Sequence, residues 1–187
     1  MIKPKTHLLF FALFMLAYLF PIEISFMQET RYSYHLNLFR FSVMIAAVMI
    51  FKELFRSKIY LLPIAYAIVL MATLGLLFSL LTEIVHFSFE LHKYVFPWMF
   101  LQLQTVITEG ILFFIIIPHL FKRFLGLKND MIYVAIFAIA HGITLFLPII
   151  FLVGLFYMKV LRAYGFNTHL LVHFFFNLTQ ILFFTLP

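Results

Sequence analysis

The 187-residue sequence contains no cysteine, and only 11% of its residues are charged. Without cysteine the chain can form no disulfide, no thiolate nucleophile and no sulfur-ligated metal site. Soluble domains carry about 25% charged residues, so a soluble globular fold is not expected. With 65% hydrophobic residues and 28 phenylalanines, the chain is also a poor candidate for disorder or nucleic-acid binding. The composition predicts an integral membrane protein.

Apolar stretches long enough for membrane helices occur about seven times along the chain. A helix needs about 20 mostly apolar residues to cross a bilayer. The first stretch follows two lysines, as in a signal peptide, but no small-x-small cleavage site comes after it. We therefore predict an all-α, polytopic bundle of about seven spans, at roughly 7–26, 37–55, 59–81, 98–121, 131–148, 148–161 and 167–186.

The basic residues set the predicted orientation of the bundle. Loops rich in lysine and arginine stay in the cytoplasm. If the spans alternate in direction, ten of the basic residues lie on one side of the membrane and three on the other. One side receives only Arg31, Arg40 and Lys93. This division predicts a cytoplasmic N-terminus, and it explains the net charge of +6 without an anionic partner. The partner implied by composition is the lipid bilayer.

One acidic residue lies inside a predicted span. Six of the seven acidic residues fall in loops or at span ends, whereas Glu109 lies about eleven residues into the fourth span. Ionisable residues at that depth are costly and mark functional sites by default. His141 and Asn177 are predicted at similar depth, and His173 lies one helical turn from Asn177 on the same face. We expect these four side chains to converge.

The residue inventory excludes two known chemistries of intramembrane proteolysis. Asp130 is the only aspartate, so a two-aspartate mechanism is impossible. No His-Glu dipeptide is present, which excludes an HExxH zinc protease. Ser42 and Ser79 are embedded but lack a glycine-rich context, so a serine nucleophile is not favoured. A glutamate acting with histidines remains.

Three motifs in the second half of the chain carry a family resemblance. Residues 109–114 (EGILFF) stand where the family has EExxxR, residues 137–141 (FAIAH) match FxxxH, and residues 173–177 (HFFFN) match HxxxN. In order and spacing the set resembles the CAAX prenyl protease and bacteriocin-processing (CPBP, or Abi) family of glutamic-type intramembrane proteases. The second glutamate and the arginine of the first motif are replaced by Gly110 and Phe114.

The resemblance implies a mechanism and a division of the chain. Glu109 and His141 would activate a water, and His173 and Asn177 would stabilise the oxyanion, on a membrane-associated peptide or protein substrate and without a cofactor. Residues 98–187 would form the catalytic helical core. Residues 1–97 would supply variable helices. The polar composition of residues 83–98 independently predicts an interfacial helix or a lid over a site that opens outward. We expect a multi-pass protein of a prokaryotic cell membrane.

Two alternatives stay open at this stage. Two histidines and a carboxylate form a ligand set of catalytic zinc, so Glu109, His141 and His173 could instead hold zinc, with His169 as a further ligand. The losses at Gly110 and Phe114 favour a different class, a non-catalytic immunity or scaffold membrane protein that keeps the fold.

Overall fold

The computed structural model describes residues 9, 12, 30–82, 86–87, 95–141 and 147–185. The predicted all-α class is confirmed. The only sheet among these residues is a two-residue antiparallel pairing of β1 (His86–Phe87) with β2 (Phe184–Thr185). The α-helices are α1 (Thr30–Ile50), α2 (Leu61–Thr82), α3 (Val95–Ile111), α4 (Ile117–Phe124), α5 (Asp130–Ala140), α6 (Leu147–Tyr164) and α7 (Phe166–Phe183).

Two of the described helical segments are long and apolar enough to cross a membrane, Gln102–Phe124 and Leu147–Tyr164. Shorter apolar helices cover Phe41–Ile50, Leu61–Leu74 and Asp130–Ala140. Most of the first predicted span, 7–26, and most of the predicted interfacial segment, 83–98, lie outside the described residues. The number of seven spans therefore stays a prediction.

The fifth predicted span differs from the structure. It was expected as one helix over 131–148, but α5 ends at Ala140 and His141 lies in a turn. The His141 amide donates to Ala138 O at 3.1 Å, and the His141 side chain bonds the Phe137 carbonyl. Because a continuing α-helix would give that carbonyl to the amide of His141, the side chain competes with the helix. His141 is a helix-end residue and not a mid-helix one.

The described chain forms two compact units, one of residues 1–55 with 107–158 and the other of residues 56–106 with 159–187. We call them the first and the second unit. Each unit contains residues from both sides of the predicted division at residue 97. That division separated variable helices from a catalytic core, and it stays a prediction.

In the first unit, a π-helical turn over Leu112–Ile116 connects α3 with α4. The Ile117 amide donates to Leu112 O, five residues back. Pro118 follows in the first turn of α4. Its ring would meet the carbonyl of Phe114 in a regular helix, and the wider turn relieves that clash. Such π-turns are frequent at functional sites, and this one begins three residues after Glu109.

Helix α5 is fixed at both its start and its middle. Asn129 caps its N-terminus, with the side-chain oxygen accepting from the Met131 amide at 3.0 Å. The Tyr133 hydroxyl donates to Leu127 O at 2.6 Å. Farther along, Gly154 of α6 lies so close that an added Cβ would stand 2.8 Å from Val134 Cγ1 and 3.0 Å from Phe137 Cδ1. The close approach of α5 and α6 therefore depends on glycine.

In the second unit, the loop before α2 holds the start of α7. Ser57 Oγ accepts from the Asn167 amide at 2.9 Å, and the Asn167 side chain donates to Ser57 O at 2.7 Å. Thr168 Oγ1 donates to Lys58 O and accepts from the Tyr60 amide. The first amides of a helix have no intrahelical acceptor, and Ser57 supplies an acceptor for the Asn167 amide. The other three bonds connect the loop to the start of the helix that carries His173 and Asn177.

Replacing Gly154 with alanine is expected to lower the free energy of unfolding by about 1–3 kcal/mol, the usual effect of overpacking. Val134 is fully buried and β-branched, so its methyl group cannot rotate away easily. Chemical unfolding in detergent of Gly154→Ala, Val134→Ala and the double variant measures the effect. The double variant should lose less than the sum of the singles, and strict additivity would contradict the proposed contact.

Replacing Ser57 with alanine should cost about 0.5–2 kcal/mol of unfolding free energy, as expected for a lost N-terminal cap. The matched control is Ser42→Ala, because that hydroxyl donates only to Leu38 O of its own helix. Thermal unfolding of the two variants compares them. Equal effects of the two substitutions would show that Ser57 does not cap α7.

Candidate active site

Glu109 and His141 lie together in the first unit. Glu109 Oε2 is 3.7 Å from His141 Nε2, with side-chain exposures of 15% and 32%. Glu109 is near the end of α3 and His141 directly follows α5. The distance is short enough for a strong electrostatic interaction and too long for a direct hydrogen bond.

The backbone of Phe137 fixes the orientation of the imidazole. His141 Nδ1 lies 2.8 Å from Phe137 O, and a carbonyl oxygen can only accept, so Nδ1 carries the hydrogen. In the neutral ring, Nε2 is then an acceptor. It faces a carboxylate, which is also an acceptor when ionised. The two acceptor atoms are 3.7 Å apart, which leaves room for a water beside them at about 2.8 Å from each, a usual hydrogen-bond distance. Such a water would donate one hydrogen to each acceptor.

An aromatic cluster surrounds the pair on the side of Phe137. The Phe137 ring centroid lies 4.4 Å from that of His141. It lies 5.5 Å from Phe113 and 5.3 Å from Phe114. Phe137 itself is 2% exposed. This packing covers one face of the imidazole, while 32% of the His141 side chain stays exposed.

Phe114 occupies the position at which the resembled motif has arginine. Its ring is buried and packs against Phe137 and Tyr157, with centroids 5.3 and 6.2 Å apart. Gly110, at the position of the second glutamate, is also buried. The two departures from the motif therefore fill apolar core positions.

Sequence reasoning missed Tyr157. This residue of α6 is 1% exposed, and its ring centroid lies 6.2 Å from that of Phe137. One signal was available, since Gly154 comes one helical turn earlier and glycine permits close packing. In a chain with 28 phenylalanines and nine tyrosines, that signal does not stand out.

An apolar cavity of about 380 Å³ begins within one helical turn of His141. It lies between α5 and α6 in the first unit. The lining is entirely apolar and includes Ala138, Ile139, Leu147 and Phe151. Ala138 also provides the carbonyl that accepts from the His141 amide. The cavity offers space for an apolar group beside the histidine.

His173 and Asn177 belong to the second unit, and both are on α7. His173 is buried, and its ring lies 6.2 Å from that of His169. The Asn177 side-chain amide donates to Gln102 Oε1 at 3.1 Å. An amide nitrogen carries two hydrogens, so one such bond does not exhaust the donors of Asn177. The convergence of these two residues with Glu109 stays a prediction.

Among the residues that the structure describes, no group of three or more histidine, aspartate or glutamate side chains is arranged to hold a metal ion. The zinc alternative stays a hypothesis. Comparison with protein-family models, characterised proteins and solved structures finds no match for the chain.

Replacing His141 with asparagine should preserve more stability than replacing it with alanine, by about 1 kcal/mol of unfolding free energy. The asparagine amide can still donate to Phe137 O from roughly the position of Nδ1, although it lacks any atom at Nε2. Unfolding of both variants in detergent measures the difference. Equal stability of the two variants would mean that the Phe137 hydrogen bond does not hold this side chain.

Proposed function

We propose that this protein is a multi-pass membrane protein in which Glu109 and His141 activate water to hydrolyse a peptide bond of a membrane-associated protein or peptide. The observation that carries the proposal is the 3.7 Å separation of Glu109 Oε2 and His141 Nε2. The hydrogen bond of Nδ1 to Phe137 O directs the Nε2 lone pair toward the carboxylate. The three motifs and their resemblance to the CPBP family support the same reaction.

In the proposed mechanism, Glu109 takes a proton from the bound water while the oxygen attacks the scissile carbonyl. A positioned general base of this kind contributes about 10²–10⁴-fold to the rate. The proton then passes from Glu109 to the leaving amine, so that water is consumed and two chain ends are produced. His173 and Asn177 would donate hydrogen bonds to the oxyanion, and each such donor is worth about 10²–10³-fold.

The apolar environment of the pair favours a hydrophobic substrate. The cavity next to His141 has only apolar lining, so a polar or charged side chain entering it would lose its hydration without compensation. An apolar side chain flanking the scissile bond fits this space. This agrees with a membrane-associated substrate.

The test compares new chain termini in membranes that contain the wild type or a variant. We expect new termini with the wild type and with Glu53→Gln, an exposed carboxylate of the same unit. Glu109→Gln and His141→Asn should reduce them by about 10²-fold or more, because an amide at 109 cannot take the proton of the water and asparagine at 141 places no acceptor at the position of Nε2. Labelling of amino termini followed by mass spectrometry measures cleavage, and immunoblotting equalises the protein amounts. Cleavage by Glu109→Gln at the wild-type rate would overturn the proposal.

Metal analysis in the same preparations separates the zinc alternative. A glutamic mechanism predicts cleavage that persists in the presence of a zinc chelator. Loss of cleavage on chelation, together with zinc in stoichiometric amount and its loss in His141→Asn, would assign the site to zinc chemistry instead.

A non-catalytic immunity or scaffold role is the second candidate, and the packing of Phe114 favours it. A buried phenylalanine at the arginine position removes a charged partner that the resembled family provides near its catalytic glutamate. If the protein is non-catalytic, membranes that contain the wild type and membranes that contain Glu109→Gln should show the same chain termini. Both proteins should then bind the same membrane protein.

A further inference from the structure

A hydrogen bond between two side-chain amides joins α3 to α7 in the second unit. Asn177 Nδ2 donates to Gln102 Oε1 at 3.1 Å. The two residues are 75 positions apart in the sequence, so the bond is a tertiary contact, and both side chains are half-buried. The proposed reaction uses Asn177 as an oxyanion donor and gives Gln102 no role.

The bond restricts the direction in which Asn177 can donate. Its amide nitrogen carries two hydrogens, and the torsion that turns an asparagine amide has broad preferences. Without an acceptor, the amide plane would therefore sample many directions. With one hydrogen on Gln102 Oε1 the plane is held, so the second hydrogen of the planar amide has a defined direction.

The helix that carries Asn177 is fixed at its other end as well. Ser57 Oγ accepts from the Asn167 amide at 2.9 Å, and the Asn167 side chain donates to Ser57 O at 2.7 Å. Asn177 lies ten residues farther along α7, a distance of about 15 Å along the helix. These bonds fix the start of α7, and the bond to Gln102 adds a second fixed point at Asn177 itself.

Exposure and charge make this amide pair suitable for stabilising an oxyanion. Of the two predicted donors, His173 is only 2% exposed, whereas Asn177 is half-buried and therefore more accessible to a substrate. Gln102 is a neutral acceptor. A carboxylate at this position would also accept from Asn177, but its negative charge would repel an oxyanion bound to the same amide. Glutamine orients the donor without that repulsion.

We propose that Gln102 is a positioning residue, whose side-chain carbonyl orients the Asn177 amide as a hydrogen-bond donor to the oxyanion. The catalytic role rests on the proposed function, whereas the orientation of Asn177 by Gln102 can be measured without any substrate. Oxyanion donors act because they are oriented before the charge develops, and Gln102 provides this preorganisation for Asn177.

The first experiment records the side-chain amide NMR signals of the full chain in detergent. The sequence has four asparagines, so ¹⁵N labelling of asparagine side chains gives four pairs of signals, of which Asn177→Leu removes one. Gln102→Leu removes the acceptor and should shift the Asn177 pair. The matched control is Gln104→Leu, the same substitution two residues later and on the other side of α3, which should leave the pair in place. An Asn177 pair that does not move with Gln102→Leu would overturn the proposal.

A second variant, Gln102→Asn, covers the case in which Gln102→Leu does not fold. It keeps an amide and shortens the side chain by one methylene, so the carbonyl oxygen no longer reaches Asn177 from the same backbone position. This variant should therefore also shift the Asn177 pair. If the pair stays in place in folded Gln102→Asn protein, the proposal is wrong.

The second experiment uses a peptide whose cleavage the terminus analysis establishes. Gln102→Leu should lower kcat about 10-fold with little change in KM, less than the about 10²–10³-fold effect of losing an oxyanion donor, because the Asn177 amide is still present. In an Asn177→Leu background the same substitution should have little further effect, since Gln102 acts through Asn177. Thr179→Val removes a hydroxyl that donates to Phe175 O of the same helix, and it should leave kcat unchanged after correction for folded protein.

The two experiments separate this proposal from the proposed function. Equal losses of kcat from Gln102→Leu with and without Asn177 would indicate a purely structural role and overturn the positioning role. Shifted Asn177 signals together with full cleavage by Glu109→Gln would support the orientation of Asn177 by Gln102 and reject the glutamic mechanism. Unshifted signals with an inactive Glu109→Gln would do the reverse.

Discussion

The hydrogen bond from His141 Nδ1 to the Phe137 carbonyl, 2.8 Å long, is the interaction on which the site depends. It determines which ring nitrogen carries the hydrogen, and it turns Nε2 toward Glu109. It also removes the acceptor that the His141 amide would need to continue α5, and so it contributes to ending the helix there. The Phe137 ring adds the packing that holds the imidazole in place. One residue thus sets the tautomer, the direction and the environment of the histidine.

Much of the helical layout could be predicted from the sequence, because long apolar runs and the charges between them carry that information directly. The predicted span at 59–81 corresponds to α2 at Leu61–Thr82, and the one at 148–161 lies inside α6 at Leu147–Tyr164. The proximity of Glu109 and His141 followed from a different argument, namely the cost of placing an ionisable group in an apolar segment. That cost makes a polar neighbour necessary, and the chain offers few candidates.

The details of the site could not be predicted in the same way. Hydropathy does not distinguish a helix that ends at residue 140 from one that continues to 148, because the end depends on a side chain binding a backbone carbonyl. The π-helical turn over Leu112–Ile116 depends on Pro118, which lies two residues after the end of the turn. The ring of Pro118 would meet the carbonyl of Phe114 in a regular helix. Tyr157 of α6 packs on Phe137 where Gly154 lets that helix approach α5 closely. A sequence this rich in phenylalanine shows no periodic contrast that marks such positions.

The apolar packing of Phe114 has a physical consequence for how the pair can work. With Phe114 packed against Phe137 and Tyr157, the surroundings on that side are apolar, and orientation must come from hydrogen bonds. Burying a charge without a partner in apolar surroundings costs free energy. Electrostatic interactions with a correctly placed dipole are stronger there than in water. When the facing atoms of the carboxylate and the imidazole both accept hydrogen bonds, a water between them can donate one hydrogen to each.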